Sequence, residues 1–182
     1  PIILTCGPAV SFVKSILDNL NIKSRKVQTM TMHKWNSYDN GHTLLEIYSK
    51  SDQKWFLYDI DGQHIFLKDG ILLSLLELSE YSFDDIQIQP ISDQFFFDYS
   101  SFSDFFVWSE NFQNNPRIWY QRVFQEFALY DEVTREYSFM IDNKNSNDLS
   151  NNDKNSRCFK LKSYFGKNIN CLTKVEFIEK FY

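Results

Sequence analysis

An amphipathic helix followed at once by strand-type segments is the pattern that most constrains the fold of this chain. The helix has apolar side chains at steps of three and four residues, namely Ala9, Phe12, Val13, Ile16, Leu17 and Leu20. This spacing places them on one helical face. Pro8 suits the first turn, where its missing N–H costs nothing. Cys6 is therefore expected at or just before the helix N-terminus, where unpaired N–H groups favour a thiolate.

Three β-strands are predicted after the helix, over residues 26–35, 42–49 and 54–60. The sequence Asp-Asn-Gly before the second strand is a strong turn signal. Residues 50–53 close a hairpin between the second and third strands. A helix that packs on such an antiparallel sheet predicts the α+β class.

The hairpin admits two registers that differ in the partner of His42. A turn centred between Lys50 and Ser51 places His42 opposite Asp59, whereas a turn centred one residue later places it opposite Asp61. Side chains alternate along a strand, so both aspartates share a face. Either register therefore permits a His–Asp pair.

The remaining elements are less regular. A short apolar helix is predicted over residues 71–78, a strand over 86–90, and a helix from Pro116 to about Tyr137. Residues 95–108 are dense in aromatic side chains, so we expect them to pack on the core or on a partner.

Composition narrows the function classes. The chain has 182 residues, a formal charge of −5 and no long basic run, which disfavours sequence-independent binding of nucleic acid. The sequence has no stretch of the length that a membrane span requires, and its opening residues do not resemble a secretory leader. We see no metal-ligand cluster and no phosphate-binding or nucleotide motif, and therefore expect no metal and no cofactor.

The cysteine count favours a reducing compartment. Cys6, Cys158 and Cys171 are odd in number and widely spaced, which fits neither a disulfide framework nor a zinc pattern. We therefore expect a cytoplasmic protein. The chain begins with proline rather than methionine, which favours a start that is missing or processed.

Cys6, His42 and Asp59 stand in an order that suits nucleophilic catalysis by a thiol. Such enzymes need a thiolate, an imidazole that takes its proton and an acid that orients the imidazole. Each residue also has a plain structural interpretation, as a buried cysteine, a histidine beside a turn and an aspartate at a strand end. His33 and His64 serve as comparisons, because only His42 has an acid placed across a hairpin.

Residues 5–66 resemble the core of the transglutaminase-like superfamily, whose members are papain-type thiol enzymes. The resemblance rests on Cys6-Gly7, the helix that follows, and the blocks at residues 21–27 (NIKSRKV), 41–48 (GHTLLEIY) and 55–59 (WFLYD). It implies Cys6 as nucleophile, His42 as base and Asp59, rather than Asp61, as the third member of a triad. It also implies a papain-like α+β core with an N-terminal helix on an antiparallel sheet.

Four segments follow from this resemblance and from the composition. Residues 1–90 are expected to form the catalytic core, 91–141 an aromatic-rich and mainly helical accessory region, 142–156 a flexible polar linker, and 157–182 a segment that docks on the body.

The function implied by the resemblance is acyl transfer or amide hydrolysis through a cysteine thioester, on a protein or peptide substrate. Hydrolysis of the peptidase or deamidase type is favoured over crosslinking. Two alternatives stay open: a non-catalytic binding or scaffold module, and a fragment of a larger thiol enzyme. The first would use an aromatic partner surface made of Tyr99, Phe102, Phe105, Phe106 and Trp108.

Overall fold

The structure, a computed structural model, describes residues 6–31, 41–91, 116–142, 154–165 and 168–182. Within these ranges the chain is a mixed α+β protein, which confirms the predicted class. Its helices are α1 (Cys6–Asn19), α2 (Leu75–Leu78), α3 (Pro116–Val123), α4 (Lys154–Phe165) and α5 (Lys174–Phe181). Its strands are β1 (Ser24–Met30), β2 (Gly41–Ser49), β3 (Lys54–Asp59), β4 (His64–Lys68), β5 (Ile71–Leu72), β6 (Gln87–Pro90), β7 (Glu126–Asp131), β8 (Glu136–Met140) and β9 (Ile169–Leu172).

The described strands form one large sheet in the order β5-β4-β3-β2-β1-β7-β8-β9, and β6 pairs with β4. All strand pairs are antiparallel except β8 with β9. Helix α1 contacts β1 and β2 near the middle of this sheet. The strand that contains His42 and the helix that begins with Cys6 are therefore direct neighbours.

Apolar side chains are buried on both faces of the sheet, because successive residues of a strand point in opposite directions. On β7, Phe127 and Leu129 belong to the larger core cluster, which also contains Trp119, Tyr120 and Phe124 from α3 and the residues that follow it. Ala128 lies between them in sequence and belongs to a smaller cluster under Leu161 of α4. The sheet thus has a core cluster on each face, one with residues of α3 and one with Leu161 of α4.

Helix α1 buries less of its apolar stripe than the spacing predicts. Ala9 and Val10 are buried, whereas Phe12 and Leu20 are about 60% exposed. Lys14 is buried instead, and its Nζ lies 2.9 Å from Asp18 Oδ2 and 3.0 Å from Glu132 Oε1. The stripe therefore predicts the helix correctly but not the face that it buries.

The predicted helix from Pro116 to about Tyr137 is wrong after Val123. Residues 126–131 and 136–140 form the β7–β8 hairpin, and β7 pairs with β1. Without β7, this edge of β1 would expose unpaired backbone groups, so the sheet decides the structure of a segment with ambiguous propensity. The expected mainly helical C-terminal extension is wrong here for the same reason.

The predicted helix over residues 71–78 is also shorter in the structure. Ile71 and Leu72 pair with β4, and the helix begins only at Leu75. Ser74 caps it: the Glu77 N–H donates to the Ser74 hydroxyl, and the Ser74 N–H donates to the Glu77 carboxylate. This capping box fixes the start of the helix.

Other boundaries agree in part. The first strand begins at Ser24, two residues before its predicted start, and the predicted end near residue 35 lies outside the described residues. The strand predicted over residues 86–90 is confirmed as β6. Most of the predicted linker and the aromatic residues of the proposed partner surface lie outside the described residues, whereas residues 154–156 begin α4.

Cys158 and Cys171 form a disulfide that ties α4 to β9. The expectation that the cysteines do not pair is therefore wrong. The odd cysteine count concealed the pairing, because Cys6 is free while Cys158 and Cys171, 13 residues apart, pair. Of the helices in the described ranges, none is long and apolar enough to cross a membrane.

Candidate active site

Cys6 is the first residue of α1, and it is neither fully buried nor part of a disulfide. The next residue, Gly7, faces β2, since a Cβ added to it would lie 3.9 Å from Thr43 Oγ1, an ordinary contact distance. The Cys6 Sγ lies within 4.8 Å of a ring nitrogen of His42. The structure therefore brings together the first two residues that the sequence predicts for the site.

His42 is the second residue of β2 and is 3% exposed. Its Nε2 lies 2.9 Å from Asp59 Oδ2, at an angle less favourable than that of a linear hydrogen bond, so the contact is best described as a close ion pair. The indole of Trp119 packs edge-on against the imidazole, with ring centroids 4.6 Å apart. This packing fixes the plane of the ring between Cys6 and Asp59.

Asp59 ends β3 and is fully buried. The Tyr120 hydroxyl donates to Oδ2 over 2.5 Å, and the Asp61 backbone N–H donates to Oδ1 over 3.0 Å. The Gly62 N–H also donates to this carboxylate. These donors come from the turn after β3 and from α3, and they hold the carboxylate in one orientation toward His42.

The hairpin adopts the second of the two predicted registers. Ser49 pairs with Lys54 and Leu45 with Tyr58, so continuing the ladder brings His42 level with Asp61. The first register, with His42 opposite Asp59, is therefore wrong. Asp59 nevertheless contacts His42, because diagonal neighbours on one face of a sheet lie within reach of each other.

The electrostatics of the pair favour a charged imidazole. Burial alone would lower the pKa of His42, but the Asp59 carboxylate and Cys6 outweigh burial and raise this pKa well above its usual value. Burial likewise would raise the pKa of Asp59, yet His42, Tyr120 and the Gly62 N–H lower it. The site therefore favours the imidazolium that forms when His42 takes a proton, with the Asp59 carboxylate beside it.

Asp61 is a second acid in the same place. It is 7% exposed, and burial together with the nearby Asp59 charge raises its pKa to about 7, although His42 acts in the opposite direction. The Asp61 carboxylate, a His42 ring nitrogen and Cys6 Sγ lie within 4.8 Å of one another. This set of three donor types can bind a metal ion as well as carry protons.

Sequence analysis missed Tyr120, Trp119 and His64 as members of the site. His64 lies directly opposite Asp59 in the β3–β4 pair, and its Nδ1 is 3.2 Å from the Tyr120 hydroxyl. It is thus part of the same network rather than an unrelated histidine, and His33 lies outside the described residues. No local motif marks Tyr120 or Trp119, since α3 reaches the site only through the tertiary fold.

Comparison with protein-family models, with curated proteins and with solved structures finds no match to this chain. Its function is therefore inferred from the residues of the site.

Proposed function

We propose that this chain is a transglutaminase-like thiol enzyme that transfers acyl groups through a thioester on Cys6. The observation that supports the proposal is the surroundings of His42, whose ring has Cys6 Sγ within 4.8 Å and the Asp59 carboxylate 2.9 Å from Nε2. A nucleophile, a base within hydrogen-bonding reach and a group that orients the base are the parts that this chemistry needs.

The first step is proton transfer from Cys6 to His42. Because Nε2 faces Asp59, Nδ1 is the nitrogen left to take the thiol proton. The thiolate attacks an amide or ester carbonyl, the C–S bond forms, and the carbonyl electrons move onto oxygen. The backbone N–H of Cys6, at the start of α1, is placed to stabilise this oxyanion.

The second step releases the leaving group. The imidazolium returns its proton to the departing amine as the C–N bond breaks, which leaves a thioester on Cys6. Water or an amine then attacks the thioester as His42, now neutral, takes its proton, and the C–S bond breaks with the Cys6 sulfur leaving as thiolate. We favour water, and so a peptidase or deamidase, because hydrolysis needs no binding site for a second substrate.

A non-catalytic scaffold is the alternative. It would be favoured by a fully buried Cys6 or by a sulfur far from His42. Cys6 is instead partly exposed, and its Sγ lies within 4.8 Å of a His42 ring nitrogen.

Trapping of the acyl-enzyme tests the proposal. The protein is mixed with p-nitrophenyl acetate, and intact-mass and peptide mass spectrometry locate the acetyl group. We expect one hydroxylamine-sensitive acetyl group on Cys6, formed in a burst, and none in Cys6→Ala. His42→Gln should form it at least about 100-fold more slowly, since general base catalysis contributes at least that factor.

Ammonia release from a glutamine-containing peptide, with and without methylamine, then separates the two fates of the thioester. Release without methylamine incorporation indicates hydrolysis, and incorporation indicates crosslinking. The control is Asp69→Asn, at an exposed turn position, which should form the acetyl-enzyme at the wild-type rate. Acetylation of Cys6 at equal rates in wild type and His42→Gln would contradict the proposal.

A further inference from the structure

We propose that Cys6, His42 and Asp61 also form a binding site for a thiophilic divalent cation of the Zn²⁺ type, and that the bound ion switches the nucleophile off. The metal site stands on the geometry alone, whereas its inhibitory effect rests on the proposed thiol chemistry.

The donor atoms are already close to a metal-binding arrangement. Cys6 Sγ, a ring nitrogen of His42 and a carboxylate oxygen of Asp61 lie within 4.8 Å of one another. Zinc bonds of about 2.0 to 2.3 Å in a tetrahedral site place ligand atoms about 3.5 Å apart. Small side-chain rotations that move each donor atom by about 1 Å therefore suffice to bind the ion.

A second observation is the support behind His42. Metal-binding histidines almost always have their other ring nitrogen held by a carboxylate or a carbonyl. Here Asp59 Oδ2 lies 2.9 Å from Nε2, and the Tyr120 hydroxyl and the Asp61 N–H fix the Asp59 carboxylate in turn. This arrangement leaves Nδ1 to bind a metal and orients the ring for it.

Charge and access favour the same conclusion. With a metal bound, Cys6 contributes a thiolate, Asp61 a carboxylate and His42 a neutral ring, and a divalent cation neutralises this set. His42 and Asp61 are almost fully buried, at 3% and 7% exposed, so an uncompensated charge there is costly. Cys6 is partly exposed, which gives the ion an entry path and leaves room for water as the fourth ligand.

The ligand types decide which cation binds. Thiolate and imidazole prefer Zn²⁺ and related transition metals, whereas Mg²⁺ and Ca²⁺ prefer sites made only of oxygen. A metal on Cys6 and His42 occupies both the nucleophile and its base. We therefore expect zinc and thiol-directed electrophiles to compete for the site.

Cobalt serves as the spectroscopic probe. Co²⁺ is titrated into the reduced, desalted protein, and the absorption spectrum is followed in the near ultraviolet, where thiolate-to-cobalt charge transfer absorbs, and in the visible range. We expect one Co²⁺ per chain with a charge-transfer band, displaced by Zn²⁺ but not by Mg²⁺. Alkylation of Cys6 by iodoacetamide should slow at least 100-fold with saturating Zn²⁺ and recover when EDTA is added.

Three variants assign the ligands. Cys6→Ser should abolish the charge-transfer band. Asp61→Asn should weaken Co²⁺ binding at least tenfold, while Asp69→Asn, at an exposed turn position with a φ of 51° that asparagine adopts readily, should leave binding unchanged. The same affinity in wild type and Cys6→Ser, or alkylation unaffected by saturating Zn²⁺, would overturn the inference.

Failure of the proposed function gives a different pattern. A charge-transfer band in a protein that never forms the acyl-enzyme would support the metal site and contradict the proposed thiol enzyme. An acyl-enzyme in a protein without the band would support the proposed enzyme and contradict the metal site.

Discussion

Two buried charged networks lie on the central strands, and they differ in whether the cation can exchange its proton. In the first, Arg25 of β1 holds Glu46 of β2, with Nε 2.8 Å and Nη2 2.7 Å from Oε2. The other Glu46 oxygen accepts from the Leu75 N–H and the Tyr182 hydroxyl, each over 2.7 Å. Every oxygen of this carboxylate therefore has partners inside the protein.

The cation of this first network is enclosed as well. The Arg25 guanidinium lies over the rings of Trp55 and Tyr182, 4.1 Å and 4.3 Å from their centroids. Arginine does not release its proton in proteins. The Arg25–Glu46 network can therefore fix α2 and the C-terminus to the sheet, but it cannot carry out acid–base chemistry.

The second network is also a buried acid paired with a cation, but its cation is titratable. Asp59 is a buried acid held by a tyrosine and a backbone N–H, as Glu46 is, but its cation is His42. The His42 ring also lies close to Cys6 Sγ, within 4.8 Å, and Cys6 is partly exposed. The comparison shows that a buried ion pair becomes a candidate for catalysis when its cation can exchange a proton with a reachable nucleophile.

Removal of Glu46 from the Arg25–Glu46 network should give the largest loss of stability. Glu46→Ala leaves the Arg25 charge buried without a partner, which typically costs about 3 to 5 kcal/mol. Urea denaturation should show this loss, whereas Glu179→Ala, at an exposed position of α5, should change stability by less than about 0.5 kcal/mol. A cost for Glu46→Ala no larger than that of the control would mean that the network does not anchor the fold.

Asp61→Asn should change the pH dependence of stability. The folded-state pKa of Asp61 is raised from 3.8 to about 7, so the folded protein binds this proton more tightly than the unfolded one. Stability from this group is present at low pH and is lost as the pH rises from about 4 to about 7. Relative to wild type, Asp61→Asn should therefore gain up to about 4 kcal/mol between pH 4 and pH 8, at about 1.4 kcal/mol per tenfold change in proton affinity.

Chemical denaturation at a series of pH values measures this difference, and Asp69→Asn is the matched control because Asp69 is exposed. A constant difference in the free energy of unfolding between wild type and Asp61→Asn would show that Asp61 is not buried beside Asp59.

Reduction of the Cys158–Cys171 disulfide should lower stability by about 3 kcal/mol, the chain-entropy cost for a loop of this length. Mass spectrometry without reductant should show the bond, and the double replacement by serine should show the same loss. The reactivity of Cys6 in folded protein should stay unchanged, because the bond lies in the α4–β9 region. A change in Cys6 reactivity would show that the two regions are coupled.

The same bond bears on location. Structural disulfides persist mainly in oxidising compartments, so this one argues against the cytoplasmic location that the cysteine count suggested. The location itself stays a prediction.

Of the four changes to the protein, Tyr120→Phe should have the smallest effect on stability. It removes the hydroxyl that donates to Asp59 but leaves the His42–Asp59 ion pair and the Asp61 and Gly62 donors in place. A hydrogen bond to a charged group contributes about 1.5 to 3 kcal/mol. Thermal unfolding should show a loss in this range, with Cys6 alkylation slowed less than tenfold. A 100-fold slower alkylation would mean that Tyr120 acts directly in the proton transfer.

Local patterns predicted the parts of the site that lie on regular elements. The periodicity after Cys6 located the start of α1, and alternation with the turn signals located β2 and β3. Asp59 and Asp61 were both recognised as partners for His42. The register was not decidable from sequence, because a turn of four polar residues accommodates either alignment, and only the packed sheet selects one.

What the sequence could not predict depends on long-range contacts. The segment 126–140 pairs with β1 although the two are about 100 residues apart, and helix propensity did not oppose a helix there. Tyr120 and Trp119 complete the site from α3 with no local signature, and Cys158 meets Cys171 only after β9 joins the sheet. In each case the partner is supplied by the tertiary fold.

The most direct test of the central claim is the rate of Cys6 alkylation by iodoacetamide at pH 6 in wild type and in His42→Gln. If His42 takes the Cys6 proton, the wild-type rate should exceed that of the variant by about 100-fold, since an ordinary thiol is almost entirely protonated at this pH. The difference should narrow as the pH rises and thiols ionise without help. Equal rates at pH 6 would show that His42 does not activate Cys6 and would contradict the account.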